Sequence, residues 1–465
     1  MPNPLANWRS HCASLLCLAC SSTALAETQN PNIIYILSDD LGYGDVGAYG
    51  QKEILTPNLD RMAEQGLRFT QHYSGGPVCG PSRATLMTGM SQAVGFIKGN
   101  PDGKWYKENF RPQDITIAEK LKEAGYTTAC FGKWGLGPQG RSGYPTNQGF
   151  DHFIGYDTHI AAHNYYPKKL CQDDGKLALK KGTYSHDLFS EKAIEYISEE
   201  HDKPFFLYLA YTIPHNPYNP PDVKPYQNKN WPDKYKKYAA MITRMDGDIG
   251  RILDLLAKKN LDDNTLVIFA SDNGPQSSWG KGRDAMTKFF NSNGPVRGIK
   301  RDVYDGGVRI PMIAWWPGKI APGESDHISG FQDIMPTFCE LVNIQPPAGI
   351  DGISMLPTLL GQPEKQKQHE TMYWEFVRVV RGKSAGARQG LLLVKDNIKA
   401  IRFGEDYPME LYDLDSDIGE SKDLSKSNPE LTQKLEAYMH SVRSKSEYWP
   451  ASLLKKGWRP DLQKK

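Results

Sequence analysis

Two acidic strand ends and one cysteine hold most of the chemistry available to this sequence. The run NIIYILS at 32–38 ends in Asp39-Asp40, and the run TLVIFA at 265–270 is followed closely by Asp272-Asn273-Gly274. Three carboxylates and one amide oxygen are hard donors, suited to Ca²⁺ or Mg²⁺. Taken singly, each pair also fits an ordinary turn, Asp-Asp or Asn-Gly. Together, at equivalent ends of two buried strands, they favour a metal, because ligands of doubly wound sheets sit beyond the carboxyl ends of strands. The third feature is Cys79-Gly80-Pro81-Ser82-Arg83. Pro81 suits the first turn of a helix, so the cysteine sits at the positive end of a helix dipole, where anions are favoured. It reads either as a buried structural thiol or as a nucleophile or modification site.

These side chains need a layered scaffold to bring them together. The apolar runs at 32–38, 204–210, 265–270 and 310–316 read as buried strands, and 127–131 is strand-like. Between them, 56–66 has Pro near its start and Gly at its end, 81–89 follows the cysteine, 115–125 closes on Gly, and 238–257 is long and amphipathic. All four read as helices. Strands alternating with helices predict an α/β domain with a large, mostly parallel sheet between helices, over residues 27–364. After residue 364 the pattern changes. Short strands at 372–376, 390–395, 400–403 and 410–413, with a helix at 431–444, predict a small antiparallel sheet with one helix over 365–465.

The chain has 465 residues with 56 Lys+Arg against 54 Asp+Glu, and this balance excludes a basic nucleic-acid coat and an acidic disordered tail. Residues 1–26 carry no Asp or Glu, one Arg (Arg9), a short apolar centre and a terminal Ala24-Leu25-Ala26, the pattern of a secretory signal peptide. An exported, periplasmic or secreted protein is expected, with no apolar stretch long enough to span a bilayer. Cys17 stands where a lipobox wants Leu, so lipoprotein anchoring at Cys20 is not expected. Removal of 1–26 leaves Cys79, Cys130, Cys171 and Cys339, too widely spaced for a metal site or a dense disulfide framework.

Cys79-x-Pro81-x-Arg83, continuing as Ala84-Thr85-Leu86-Met87-Thr88-Gly89, resembles the signature of the type I, formylglycine-dependent sulfatases of the alkaline-phosphatase-like superfamily. The resemblance spans nearly the whole mature chain, through Thr56-Pro57-Asn58, Gly132-Lys133-Trp134, Pro214-His215, Gly298-Ile299-Lys300, Gly306-Gly307-Val308-Arg309 and Glu410-Leu411-Tyr412-Asp413. It implies that a formylglycine-generating or sulfatase-maturating enzyme oxidises Cys79 to formylglycine, which hydrates to a geminal diol. A diol suits the task. After one oxygen attacks sulfur, loss of the other proton expels sulfate and regenerates the aldehyde, splitting one hard step into two. The resemblance further implies that Asp39, Asp40, Asp272 and Asn273, with residue 79, hold one Ca²⁺. Arg83 would orient the diol, Lys133 and Lys300 would bind sulfate oxygens, and His215 would protonate the leaving alkoxide.

One departure stands out. The family usually carries His two positions after that Lys, and here position 135 is Gly. The missing imidazole is expected to be replaced from the loop carrying His159 and His163, with His163 preferred because Asn164-Tyr165-Tyr166 could anchor its ring. Both histidines are also candidate substrate contacts. Trp105, Tyr106, His159, His163, Asn164, Tyr165, Trp279, Lys281 and Arg283 suit a sulfated glycan, since aromatics stack on sugar faces and cations suit neighbouring sulfates. Alternatives are an arylsulfatase of small substrates, a phosphatase or phosphonate hydrolase of the same superfamily, and a silent protein that binds sulfated glycan with Cys79 unmodified. The Cys-x-Pro-x-Arg string argues against a plain phosphatase, which would use Ser or Thr.

Overall fold

A computed structural model describes residues 30–100, 109–276, 284–380, 383–405 and 407–457. The expected signal peptide, Trp105, Tyr106, Trp279, Lys281 and Arg283 lie outside them. Eleven strands of the described residues form the large sheet: β1 (Asn32–Ser38), β2 (Leu67–Tyr73), β3 (Thr127–Lys133), β4 (His152–Tyr156), β5 (Lys169–Gln172), β6 (Gly175–Ala178), β7 (Phe205–Ala210), β8 (Thr265–Ser271), β9 (Arg309–Trp315), β10 (Gly323–Ser325) and β11 (Ser329–Gly330). Their order is β10-β2-β9-β8-β1-β7-β3-β4-β5-β6, with β11 beside β2. The centre, β8-β1-β7-β3-β4, is parallel, while β9 runs antiparallel to both β8 and β2.

β1 reads as an unbroken apolar run because both of its faces are covered. Ile34 and Ile36 point into one core with the helices Ser185–Ser198 and Asp233–Lys258. Ile33, Tyr35 and Leu37 point into the other, with the helices Cys79–Thr88, Ile117–Glu123 and Ile334–Leu341. The helix after the cysteine starts at Cys79 itself, ahead of the expected position 81.

The second sheet is antiparallel, in the order β12 (Thr371–Val380), β13 (Lys383–Leu393), β14 (Ile398–Arg402) and β15 (Glu410–Asp413). One face packs Trp374, Leu392 and Ile401 against Tyr73, Val303 and Tyr304 of the large unit. The other packs Tyr373, Leu391 and Ala400 against Leu435 and Met439 of the helix Pro429–Val442. Polar ties cross the first face. Lys399 Nζ lies 2.9 Å from Asp305 Oδ1, Tyr304 donates to Glu410 at 2.7 Å, and Trp374 Nε1 donates to Ser74 O at 2.8 Å.

Candidate active site

Strand register explains why distant residues meet. Leu37 is level with Ala210, Ala210 with Gly132, and Ser38 with Ser271. Strands β8, β1, β7 and β3 therefore end at one height, and Asp272, Asp39 and Lys133 emerge together. His215 follows on the loop after β7, and Lys300 on the segment between β8 and β9. Ligand atoms of Asp39, Asp40, Cys79 and Asp272 all lie within 4.8 Å of one another, and all four residues are buried. Asp40 is left-handed, with φ 67°, a conformation rare outside Gly and tolerated by Asp. The turn is held by Asp40 N donating to Asp272 Oδ1 at 3.1 Å, Leu41 N to Ser271 Oγ at 3.0 Å, and Asn273 Nδ2 to Asp40 Oδ1 at 2.7 Å.

Three buried cations face the three carboxylates. Lys133 Nζ is 2.7 Å from Asp39 Oδ2, and Lys300 Nζ is 2.5 Å from Asp40 Oδ1 and 3.4 Å from Cys79 Sγ. Arg83 donates to Asp272 Oδ2 from Nε at 3.1 Å and from a terminal nitrogen at 2.8 Å, and its other terminal nitrogen donates to Lys133 O at 2.9 Å. Arg83 thus clamps the β8 end to the β3 end. Burial disfavours the Asp39 carboxylate, but Lys133, His215, Arg83 and Lys300 outweigh it and hold the group well below the usual range. Burial, then the charge of Asp39, raises Asp272 to about 6 despite Arg83. Burial, then the charge of Asp272, pushes the Cys79 thiol up to about 12.

The donor set fits a hard cation. Asp40 Oδ2 and Asn273 Oδ1 are buried without a hydrogen-bond partner, an expensive state that a cation would relieve. His215 Nε2 stands 3.4 Å from Asp40 Oδ2, and its Nδ1 lies 2.5 Å from Asn216 O. Burial lowers this imidazole to about 3. The hydroxyl of Tyr165 holds the loop by donating to Thr212 O and His215 O. Tyr165 is thus a buried strut and does not offer a sugar a stacking face, contrary to the expectation from its type.

Residues 31–344 match the family described as Sulfatase. The chain belongs to the sulfatase family. It is a sulfuric ester hydrolase. Residues 299–445 also match the description N-sulphoglucosamine sulphohydrolase, C-terminal. Over 368 residues the sulfatase is 34% identical to N-acetylgalactosamine-6-sulfatase of Rattus norvegicus, covering 72% of this chain and 67% of that one. It is 28% identical over 491 residues to N-acetylgalactosamine-6-O-sulfatase of Bacteroides thetaiotaomicron, covering 90% and 94%. Its fold overlays the crystal structure of Ps i-CgsB in complex with k-i-k-neocarrahexaose with TM-score 0.76 and 29% identity, covering 89% and 94%.

Within this sulfatase, the space beside Gly135 is taken by His159 and not by the preferred His163. A Cβ built on Gly135 would lie 2.6 Å from both Nδ1 and Nε2 of His159. His163 instead stacks on His215, with ring centroids 4.4 Å apart and planes 13° apart. The site residues gathered are therefore Asp39, Asp40, Cys79, Arg83, Lys133, His215, Asp272, Asn273 and Lys300, with His163 against His215. Sequence reasoning overlooked Asn100, whose Oδ1 accepts from Gly80 N at 2.9 Å in the first turn of the Cys79 helix, and Ser271, which pins the turn after Asp40. Neither carries a signal in the sequence, since both act through backbone groups. Cys79, Cys130, Cys171 and Cys339 are all buried free cysteines. Among the described residues no helix is long and apolar enough to cross a membrane.

Proposed function

We propose that this sulfatase removes sulfate esters from sulfated carbohydrates, with a formylglycine derived from Cys79 and one Ca²⁺ held by Asp39, Asp40, Asp272 and Asn273. The observation that carries this reading is the convergence of three buried carboxylates and two unpartnered oxygens on Cys79, the first residue of its helix. A hard oxygen nucleophile suits a carboxylate-lined cation site better than the softer sulfur of a thiol. A hydrated formylglycine would supply a hydroxyl there, and Ca²⁺ would ease loss of its proton and offset sulfate charge.

The chain's own side chains supply the rest. Lys300 Nζ, already 3.4 Å from Cys79 Sγ, and Lys133 Nζ bind the non-bridging sulfate oxygens, where charge builds up. With divalent charge on the carboxylates, neither ammonium is needed to neutralise them. Arg83 keeps Asp272 in place. His215, with Nδ1 tied to Asn216 O, has Nε2 to deliver a proton to the departing sugar oxygen, and a bound sulfate favours the protonated ring.

Relatives named N-acetylgalactosamine-6-sulfatase and N-acetylgalactosamine-6-O-sulfatase, and a structural neighbour in complex with k-i-k-neocarrahexaose, support a carbohydrate substrate. The unit over 27–364 carries the chemistry, and the unit over 365–465 supports it through the packing of Trp374, Leu392 and Ile401 on Tyr73, Val303 and Tyr304. Residues 1–26 direct export to the periplasm or medium, and a maturating enzyme acts on Cys79 before folding buries it. The test is desulfation of defined sulfated oligosaccharides, N-acetylgalactosamine 6-sulfate first, read by product mass. Turnover of aryl sulfates alone would favour a small-molecule arylsulfatase. Binding without any turnover of matured protein would favour a silent glycan binder.

A further inference from the structure

Position 135 and His159 are complementary. Gly135 is left-handed, with φ 78°, and any side chain on it would run into the His159 ring. His159 is 3% exposed, and both of its ring nitrogens lack a hydrogen-bond partner. A buried imidazole with no partner is costly, and such groups persist where function needs them. The ring sits against the residue two beyond Lys133, at the carboxyl end of β3. After burial itself, Lys133 and Arg83 act most strongly on the ring, keeping it neutral. His163 does not fill this space; its ring is stacked on that of His215.

We infer that His159 supplies, from the loop after β4, the imidazole that accepts a proton from residue 79, and that Gly135 is glycine to make room for it. This rests on the formylglycine reading above. In the step concerned, the O–H bond of the unsulfated hydroxyl at 79 would break and its electron pair would form the C=O bond of the aldehyde, the C–O bond to the sulfate group would break so that sulfate leaves with the pair of that bond, and the proton would pass to an imidazole nitrogen. A neutral ring with both nitrogens uncommitted is equipped for that transfer.

Two measurements test the inference, and one needs no activity. In a Cys79→Ala chain, which cannot be matured, Gly135→Ala should lower the melting temperature through collision with the ring. The same substitution should cost less in a His159→Gly background, where the space is vacant. Equal effects in the two backgrounds would overturn the proposed packing. In the matured enzyme, His159→Ala should lower kcat about 100-fold or more with KM little changed. Added imidazole should restore turnover, and substituted imidazoles should do so in order of their basicity. An unchanged kcat, or a loss that imidazole does not rescue, would overturn the proton-acceptor role. If His159→Ala does not fold, kcat of matured Gly135→Ala decides, since displacing the ring should slow turnover and wild-type kcat would refute the role. Failure of the formylglycine reading would look different, because wild-type protein would then carry only a thiol at 79.

Discussion

Replacing Arg83 by Met exposes how the site is held together. Arg83 is fully buried and joins three elements at once: its own helix, Asp272 after β8, and the carbonyl of Lys133 at the end of β3. Met fills much of the volume but leaves the Asp272 carboxylate buried near Asp39 and Asp40 without its cation. Breaking a buried ion pair by removing one partner costs about 3–5 kcal/mol. The lost hydrogen bond to Lys133 O adds about 1 kcal/mol. At the low end of the usual ~2–4 °C per kcal/mol, suited to a chain of this length, the melting temperature should fall by roughly 10 °C. The assay is thermal melting of chelated protein, so that no divalent cation substitutes for the guanidinium. Adding Asp272→Asn to Arg83→Met should recover part of the loss, since the stranded charge is then removed. A single variant melting within about 1 °C of wild type, against the ion-pair cost above, would refute the reasoning. So would a double variant less stable than both singles.

Other outcomes follow from the same geometry. His215→Gln should slow release of a sugar alkoxide by about 100-fold or more while barely affecting 4-nitrophenyl sulfate, whose leaving group needs no acid, and comparison of kcat on the two substrates checks this. Asp272→Asn should abolish the rise in melting temperature that Ca²⁺ gives wild-type protein, together with turnover, as a titration of melting temperature against calcium would reveal. Asp45 concerns pH. It is buried, accepts hydrogen bonds from Gly42 N at 2.8 Å and Tyr238 at 2.5 Å, and burial raises it to about 7. The folded state keeps this proton up to about pH 7 while the unfolded chain loses it near pH 4, so the group's contribution to stability declines as pH rises across that window. Asp45→Asn should therefore gain on wild type between pH 5 and pH 8 in urea melts, and a constant difference would count against the shift.

Much of the site was legible because strand ends and motif residues are local features. The apolar runs of β1 and β8 and the acids that follow them identify two adjacent parallel strands, and the register confirms that Ser38 and Ser271 are level. The edges were harder to see. β6 is four residues long and mostly exposed, and β10 is three, so neither shows a burial pattern to detect. β2 (LRFTQHY) shows no strict alternation of polar and apolar positions, and its pairing with β9 slips between Phe69 and His72, so its sequence carries no clear strand signal. β12 and β13 extend beyond the stretches expected from their apolar residues, with an irregularity between Arg378 and Val379. The choice between His159 and His163 could not be read from spacing. It depends on how the loop after β4 folds back over Gly135, a three-dimensional complementarity that leaves only the glycine as a trace.

The central claim is that position 79 acts as formylglycine and not as cysteine. Its most direct test is the mass of the peptide carrying residue 79, taken from a preparation that measurably desulfates a sugar. Aldehyde or its hydrate at that residue, in a fraction that rises and falls with specific activity across preparations, is the expected result. An active preparation containing only the free thiol of Cys79 would contradict it.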